Sequence, residues 1–224
     1  MVERFRQTGR SRDDGLSLVE MLVSMIVFGI SLGMVFSAVI VLQTKTGKVE
    51  ASAEAVSQLR QALAQIDRQV RSGNVLYAPG NEAEGDDATA GCTTPTADPN
   101  SGTCMRIYTQ ANGTPRCVQW QLLADPARPG TAVLRSRSWQ PTWQTLDPGA
   151  SSSWAVLARG LSAAPSQSPF TVDGDTAYGS RLLDVHFEAV DPRRQDPVVI
   201  TSSLSGRNTH YGYDAGQCTP VPPG

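Results

Sequence analysis

One carboxylate stands out by its surroundings. Glu20 sits at the head of an otherwise uncharged apolar run, five residues after Gly15 in the stretch Gly15-Leu16-Ser17-Leu18-Val19-Glu20. An acid in a membrane helix costs about 2.5–3.5 kcal/mol at the centre and less toward an end, so it calls for a cationic partner. Cleavage after Gly15 would create one: the α-amino group released on Leu16 lies close to one helical turn from Glu20. The same group on a neighbouring chain meets Glu20 when helices pack side by side. The chemistry implied is peptide cleavage performed on this chain, followed by charge neutralisation during assembly.

The other reactive side chains give no comparable pattern. His186 and His210 are the only histidines, neither has zinc or triad spacing, and His186 is expected on the solvated face of a strand. Glu82, Glu84, Asp86 and Asp87 form an acidic cluster, and Asp173-Gly174-Asp175 a smaller one, but neither follows a calcium-loop pattern. Trp120, Trp139, Trp143 and Trp154 are expected to fill cores or subunit contacts before they form an adhesive surface for glycans or DNA. Phosphate-loop, nucleophile-elbow and His-Glu-x-x-His motifs are missing, so no catalytic residue, metal or cofactor is expected. With 19 basic against 21 acidic residues, charge gives no ground for nucleic-acid binding.

Cys92, Cys104, Cys117 and Cys218 lie outside the apolar segment and show no C-x-x-C spacing, which reads as disulfides in an exported domain. Four cysteines permit three pairings. The pairing favoured is Cys92 with Cys104, closing a small loop, and Cys117 with Cys218, tying down the C-terminal tail.

The stretch Gly15 to Glu20, followed by an unbroken apolar run, resembles the cleavage and methylation motif of type IV prepilins and type II secretion pseudopilins. The resemblance implies that a membrane aspartyl peptidase cuts between Gly15 and Leu16 and methylates Leu16, and that Glu20 steers subunit docking. It also implies a non-enzymatic filament subunit, with three partners: the peptidase/methyltransferase, other major and minor pilins or pseudopilins, and an inner-membrane assembly platform. The first mature residue is Leu where major pilins usually carry Phe, and the helix lacks the proline common in theirs. Both features point to a minor pilin or a minor pseudopilin. The competing reading is an uncleaved anchor carrying an extracellular binding domain.

These residues need elements to position them. Met21 to Leu42 is 22 residues without a charge, long enough to cross a bilayer at about 1.5 Å per residue. Arg4, Arg6, Arg10 and Arg12 precede it and only Lys45 and Lys48 closely follow, so the N-terminus is expected in the cytoplasm and the remainder outside. Gly29 and Gly33 form a Gly-x-x-x-Gly pair that permits close helix approach. Beyond Leu42, Val49, Val56, Leu63 and Val70 recur every seven residues with Leu59 and Ile66 between them, which predicts an amphipathic helix packed on a sheet and ending near Ser72.

Thereafter short alternating runs separated by Gly, Pro, Asp and Ser predict strands at 105–109, 117–123, 132–139, 154–157, 182–190 and 198–201. The expected fold is α+β and pilin-like, a long helix on an antiparallel sheet. Its parts would be a removed leader at 1–15, a membrane helix at 16–42, a stalk at 43–73, and a head at 74–224 with a polar insertion at about 78–104.

Overall fold

The computed structural model describes residues 17–83, 89–95, 98–145, 151–174, 181–190, 197–206, 213 and 215–223. The chain divides into two compact units, one up to Gly47 and one from Lys48. A helix, α1, runs from Leu18 to Arg71 without a proline to interrupt it.

In the first unit α1 is exposed along residues 18–43, with Leu18 82 % and Phe28 67 % exposed, and Leu18–Gln43 is long and apolar enough to cross a membrane. Its serines are satisfied within the helix: the hydroxyls of Ser24, Ser31 and Ser37 donate to the carbonyls of Glu20, Val27 and Met34 at 2.7, 2.8 and 2.8 Å. Polar side chains that close their own hydrogen bonds are compatible with a hydrocarbon surrounding.

In the second unit, Ala-, Gln- and Leu-rich sequence carries α1 on to Arg71. Its buried seam is Ala55, Leu59, Ala62, Ile66 and Val70, packed into one core with the sheet. Val56 and Leu63, expected as part of the stripe, flank that seam and are only partly buried. The two alanines displace them because a small side chain lets the helix backbone approach a sheet closely, and Ala55 lies against Gly160, whose φ of +72° suits glycine. The helix stops where Gly73 begins β1; a Cβ at Gly73 would stand 2.9 Å from the Val70 carbonyl.

Among the described residues the sheet has nine antiparallel strands: β1 (Gly73–Leu76), β2 (Ser101–Gly102), β3 (Cys104–Thr109), β4 (Arg116–Ala124), β5 (Thr131–Trp139), β6 (Ala155–Ser162), β7 (Phe170–Val172), β8 (Leu182–Ala189) and β9 (Val198–Ser205). Their order is β1-β3-β4-β5-β6-β8-β7-β2, with β9 paired to β8. The architecture is therefore α+β and pilin-like. The six expected strands are present within a few residues of their predicted limits, β6 and β9 running on to Ser162 and Ser205, whereas β1, β2 and β7 were not foreseen.

Alternation assigns the two faces. Met105 and Ile107 of β3, Val118, Trp120 and Leu122 of β4, and Leu134 of β5 join the core beneath α1, as do Leu183, Val185, Phe187 and Ala189 of β8. The opposite face of β3, β4 and β5 carries two polar rungs in register, Arg106–Gln119–Arg137 and Cys104–Gln121–Arg135. That face is covered by the segment around Glu82 and Thr89 and by residues 215–223.

Buried polar groups need partners, and here the rungs supply most of them, Arg137 Nη2 being left without one. Arg106, fully buried, pairs with Glu82 at 2.9 Å. The Gln119 amide donates to Glu82 Oε2 and to Thr89 Oγ1, and Arg137 Nε donates to Gln119 Oε1 at 2.9 Å. The Arg106 and Arg137 guanidinium groups also donate to the carbonyls of Cys218 and Pro223 at 2.8 and 3.0 Å. Burial and the neighbouring Arg135 charge bring the Arg137 pKa down to about 10 against the raising attraction of Glu82, so it remains cationic at neutral pH.

Two disulfides complete the cover. Cys92 is bonded to Cys104 and Cys117 to Cys218. The second belongs to a separate apolar cluster with Tyr77, Tyr108 and Trp139 on the far side of the sheet from α1.

Candidate assembly site

The first turn of α1 places Glu20 on a helix surface whose other side chains are all apolar or serine. Met21 N–H donates to Ser17 O at 3.1 Å, so helical bonding already spans Ser17 to Met21 and fixes Glu20 within the first turn. Its carboxylate is exposed, beside Leu18, Val19, Met21 and Leu22, which are 82, 68, 57 and 54 % exposed. A carboxylate in that position favours the N-terminal end of a helix, where the backbone dipole is positive. Gly15 and Leu16, the expected cleavage pair, lie outside the described residues, as do Arg4, Arg6, Arg10 and Arg12.

Gly29 and Gly33 fall on one face of the same helix, one turn apart. A Cβ added at either would meet nothing within 4 Å. The open strip they leave is flanked by large side chains such as Met25, Ile26 and Phe36, at 69, 54 and 60 % exposure. Bare backbone bordered by bulky apolar groups is the surface on which a second helix packs closely.

A family model described as the prokaryotic N-terminal methylation motif matches residues 10–36. The chain carries the N-terminal motif of type IV prepilins and pseudopilins. Comparison with curated proteins and with solved structures returns no significant match. In this prepilin-type chain the matched segment takes in Gly15, Leu16, Glu20, Gly29 and Gly33, and its apolar helix fits anchoring in a membrane.

The remaining residues singled out on sequence are dispersed over the head. Trp120 and Trp139 are buried in the two cores, and Trp143 donates from Nε1 to Pro220 O at 2.9 Å. Trp154 lies beside the guanidinium groups of Arg135 and Arg137, at 4.3 and 4.5 Å from its ring centre. They form no common aromatic surface. Glu82 is withdrawn into the ion pair with Arg106, and the rest of its acidic cluster, Glu84, Asp86 and Asp87, lies outside the described residues, as do Asp175 and His210.

His186 differs from its expected solvated position: it is only 8 % exposed, and Glu188 on the same strand face only 4 %. The segment before β7 covers them. Glu188 Oε1 accepts from the Ser166 backbone N–H and hydroxyl and lies 3.0 Å from His186 Nε2. Burial pushes the Glu188 pKa up, but the hydrogen bonds from Ser166 and His186 together outweigh it and hold the carboxyl below its ordinary value. This is not a charge-relay arrangement, because acid and serine approach the same ring nitrogen.

Proposed function

We propose that this chain is a minor pilin, cut between Gly15 and Leu16, methylated on Leu16, and incorporated through Glu20 to initiate or cap a type IV pilus serving adhesion, motility or DNA uptake. The observation that carries the reading is the methylation motif at residues 10–36, of which the part from Leu18 lies on an exposed, apolar helix. Among the described residues, the apolar stretch from Leu18 to Gln43 carries one carboxylate and no cation, and removal of the leader would supply a cation at the adjacent terminus. Burying the pair together between packed subunits costs far less than burying either alone.

Two features support a minor role: Leu16 as the first mature residue, and α1 running to Arg71 without a proline. In a type II secretion system the same residues would serve a minor pseudopilin. The lipid bilayer holds the apolar helix before assembly, and the head, with its two disulfides, belongs on the oxidising side of the membrane.

The deciding experiment is the N-terminal mass of the protein expressed with and without a prepilin peptidase. A methylated terminus at Leu16 only in the presence of the peptidase is the expected result. An intact leader under co-expression would leave an anchored exterior domain and overturn the assembly reading.

A further inference from the structure

Strand β9 is an edge of the sheet: among the described residues it pairs with β8 alone, from Val198 opposite Ala189 to Ser205 opposite Leu182, without a bulge. Hydrogen bonds fix which way its backbone faces. Gly206 N–H donates to Arg181 O at 2.8 Å, the next step of the same ladder, whereas His186 N–H to Pro169 O at 2.9 Å and Asp173 N–H to Leu182 O at 2.8 Å lie on the other side of β8. Bonded pairs alternate along an antiparallel ladder, so Val198, Ile200, Ser202 and Leu204 turn their peptide groups toward β8. Val199, Thr201, Ser203 and Ser205 turn theirs outward. All four are exposed, and among the described residues nothing hydrogen-bonds to those outward groups.

Exposed edges are ordinarily guarded by charge, proline, a bulge or shortness. The sequence of β9, VVITSSLS, has none of these over its 8 residues. The edge at β1 is guarded by contrast: it has 4 residues, its register shifts between Gly73 and Val75, and Gly73 and Leu76 are buried. At the end of the strand order β2 has only 2 residues.

An open groove of about 340 Å³ lies between Ser202, Ser203 and Leu204 of β9 and the flank of α1. Leu63 and Ala64 give it an apolar part, and Arg60, Asp67 and Arg71 a charged one. Asp67 is already taken by Arg71 at 2.8 Å, while the exposed Arg60 has no acidic partner among the described residues, so the helix side of the groove is net positive. Peptide groups left open at every second residue call for the matching groups of another extended backbone, which a small ion or a helix does not supply at that spacing. We infer that the β9 edge takes up an extended strand from another polypeptide chain, with apolar side chains toward Leu63, Ala64 and Leu204 and a carboxylate toward Arg60. The inference concerns the head alone and stands whether or not the leader is cleaved.

The probes are two fluorescent synthetic peptides of the length of β9, alternating valine and threonine, with one central valine replaced by glutamate in the first and by lysine in the second. The full chain in detergent micelles is titrated with each and followed by fluorescence anisotropy. The glutamate peptide is expected to bind saturably and the lysine peptide about tenfold more weakly, since one attractive exposed contact becomes a repulsive one. Arg60→Ala is expected to bring the two peptides to equal affinity. Thr201→Pro removes one outward N–H and none of those turned to β8, so it is expected to abolish binding while circular dichroism shows the fold intact. Amide exchange of the unmutated chain gives a reading independent of that variant: the glutamate peptide is expected to slow Val199, Thr201 and Ser203, which exchange freely without it. The inference is overturned if neither peptide saturates, if those amides stay unprotected at saturation, if the lysine peptide binds as tightly, or if Arg60→Ala keeps the preference. Sedimentation that shows dimers without peptide, dissolved by Thr201→Pro, would overturn it in favour of a second copy of this chain at the edge.

Discussion

At the scale of single residues, chemistry is set by how each charge is matched. Glu20 is matched by nothing within its own apolar surroundings, and this is why it could be singled out from sequence: an acid among Leu, Val and Met breaks the pattern of a membrane segment. In Glu20→Ala, leader removal is expected to continue while incorporation falls, because the proposed function ties Gly15 to cleavage and Glu20 to docking. Recovery of partner pilins by pull-down measures this, and recovery at the wild-type level would contradict it. His186 and Glu188 were not readable in the same way. Alternation along β8 put them on the polar face, but nothing local announces that the distant Ser166 segment covers that face. Because the fold holds the Glu188 carboxyl below its ordinary range, its stabilising contribution is complete above that range and disappears as pH falls through the lowered value. Glu188→Gln is therefore expected to melt below wild type at neutral pH and to converge with it in acid, as followed by thermal denaturation across pH.

At the scale of elements, periodicity carried most of the information. The unbroken α1, its stop beside Ser72 and Gly73, and the longer strands all follow from spacing and breakers that a linear reading detects. The exact seam did not. A heptad count weights Val56 and Leu63, whereas Ala55 and Ala62, too small to register as a stripe, take the buried positions because they bring helix and sheet close together. The strands β1, β2 and β7, of 4, 2 and 3 residues, are too short to show alternation and exist because longer neighbours offer them an edge. Leu59 lies at the middle of the seam with no exposure, so Leu59→Ala is expected to lower head stability by about 2–5 kcal/mol. Chemical denaturation of the variant measures the loss, and an unchanged midpoint would show that the helix does not depend on this contact.

At the scale of the whole molecule, the head has a core on each side of its sheet. The one beneath α1 is built from near-continuous apolar faces, and the other from a polar wall sealed by residues 215–223. The Cys117–Cys218 bond closes a separation of 101 residues, and its loss in Cys218→Ser is expected to cost about 2–5 kcal/mol and to uncover the Glu82–Arg106 pair. A thermal melt of oxidised wild type against the variant tests this, and equal midpoints would show that the tail is held without the bond. The same seal has a consequence in time. Arg106 and Arg137 take carbonyl partners from Cys218 and Pro223, so this part of the wall closes only after those residues have been made. The head therefore reaches its sealed form only once Cys218, made 101 residues after Cys117, has met an oxidant.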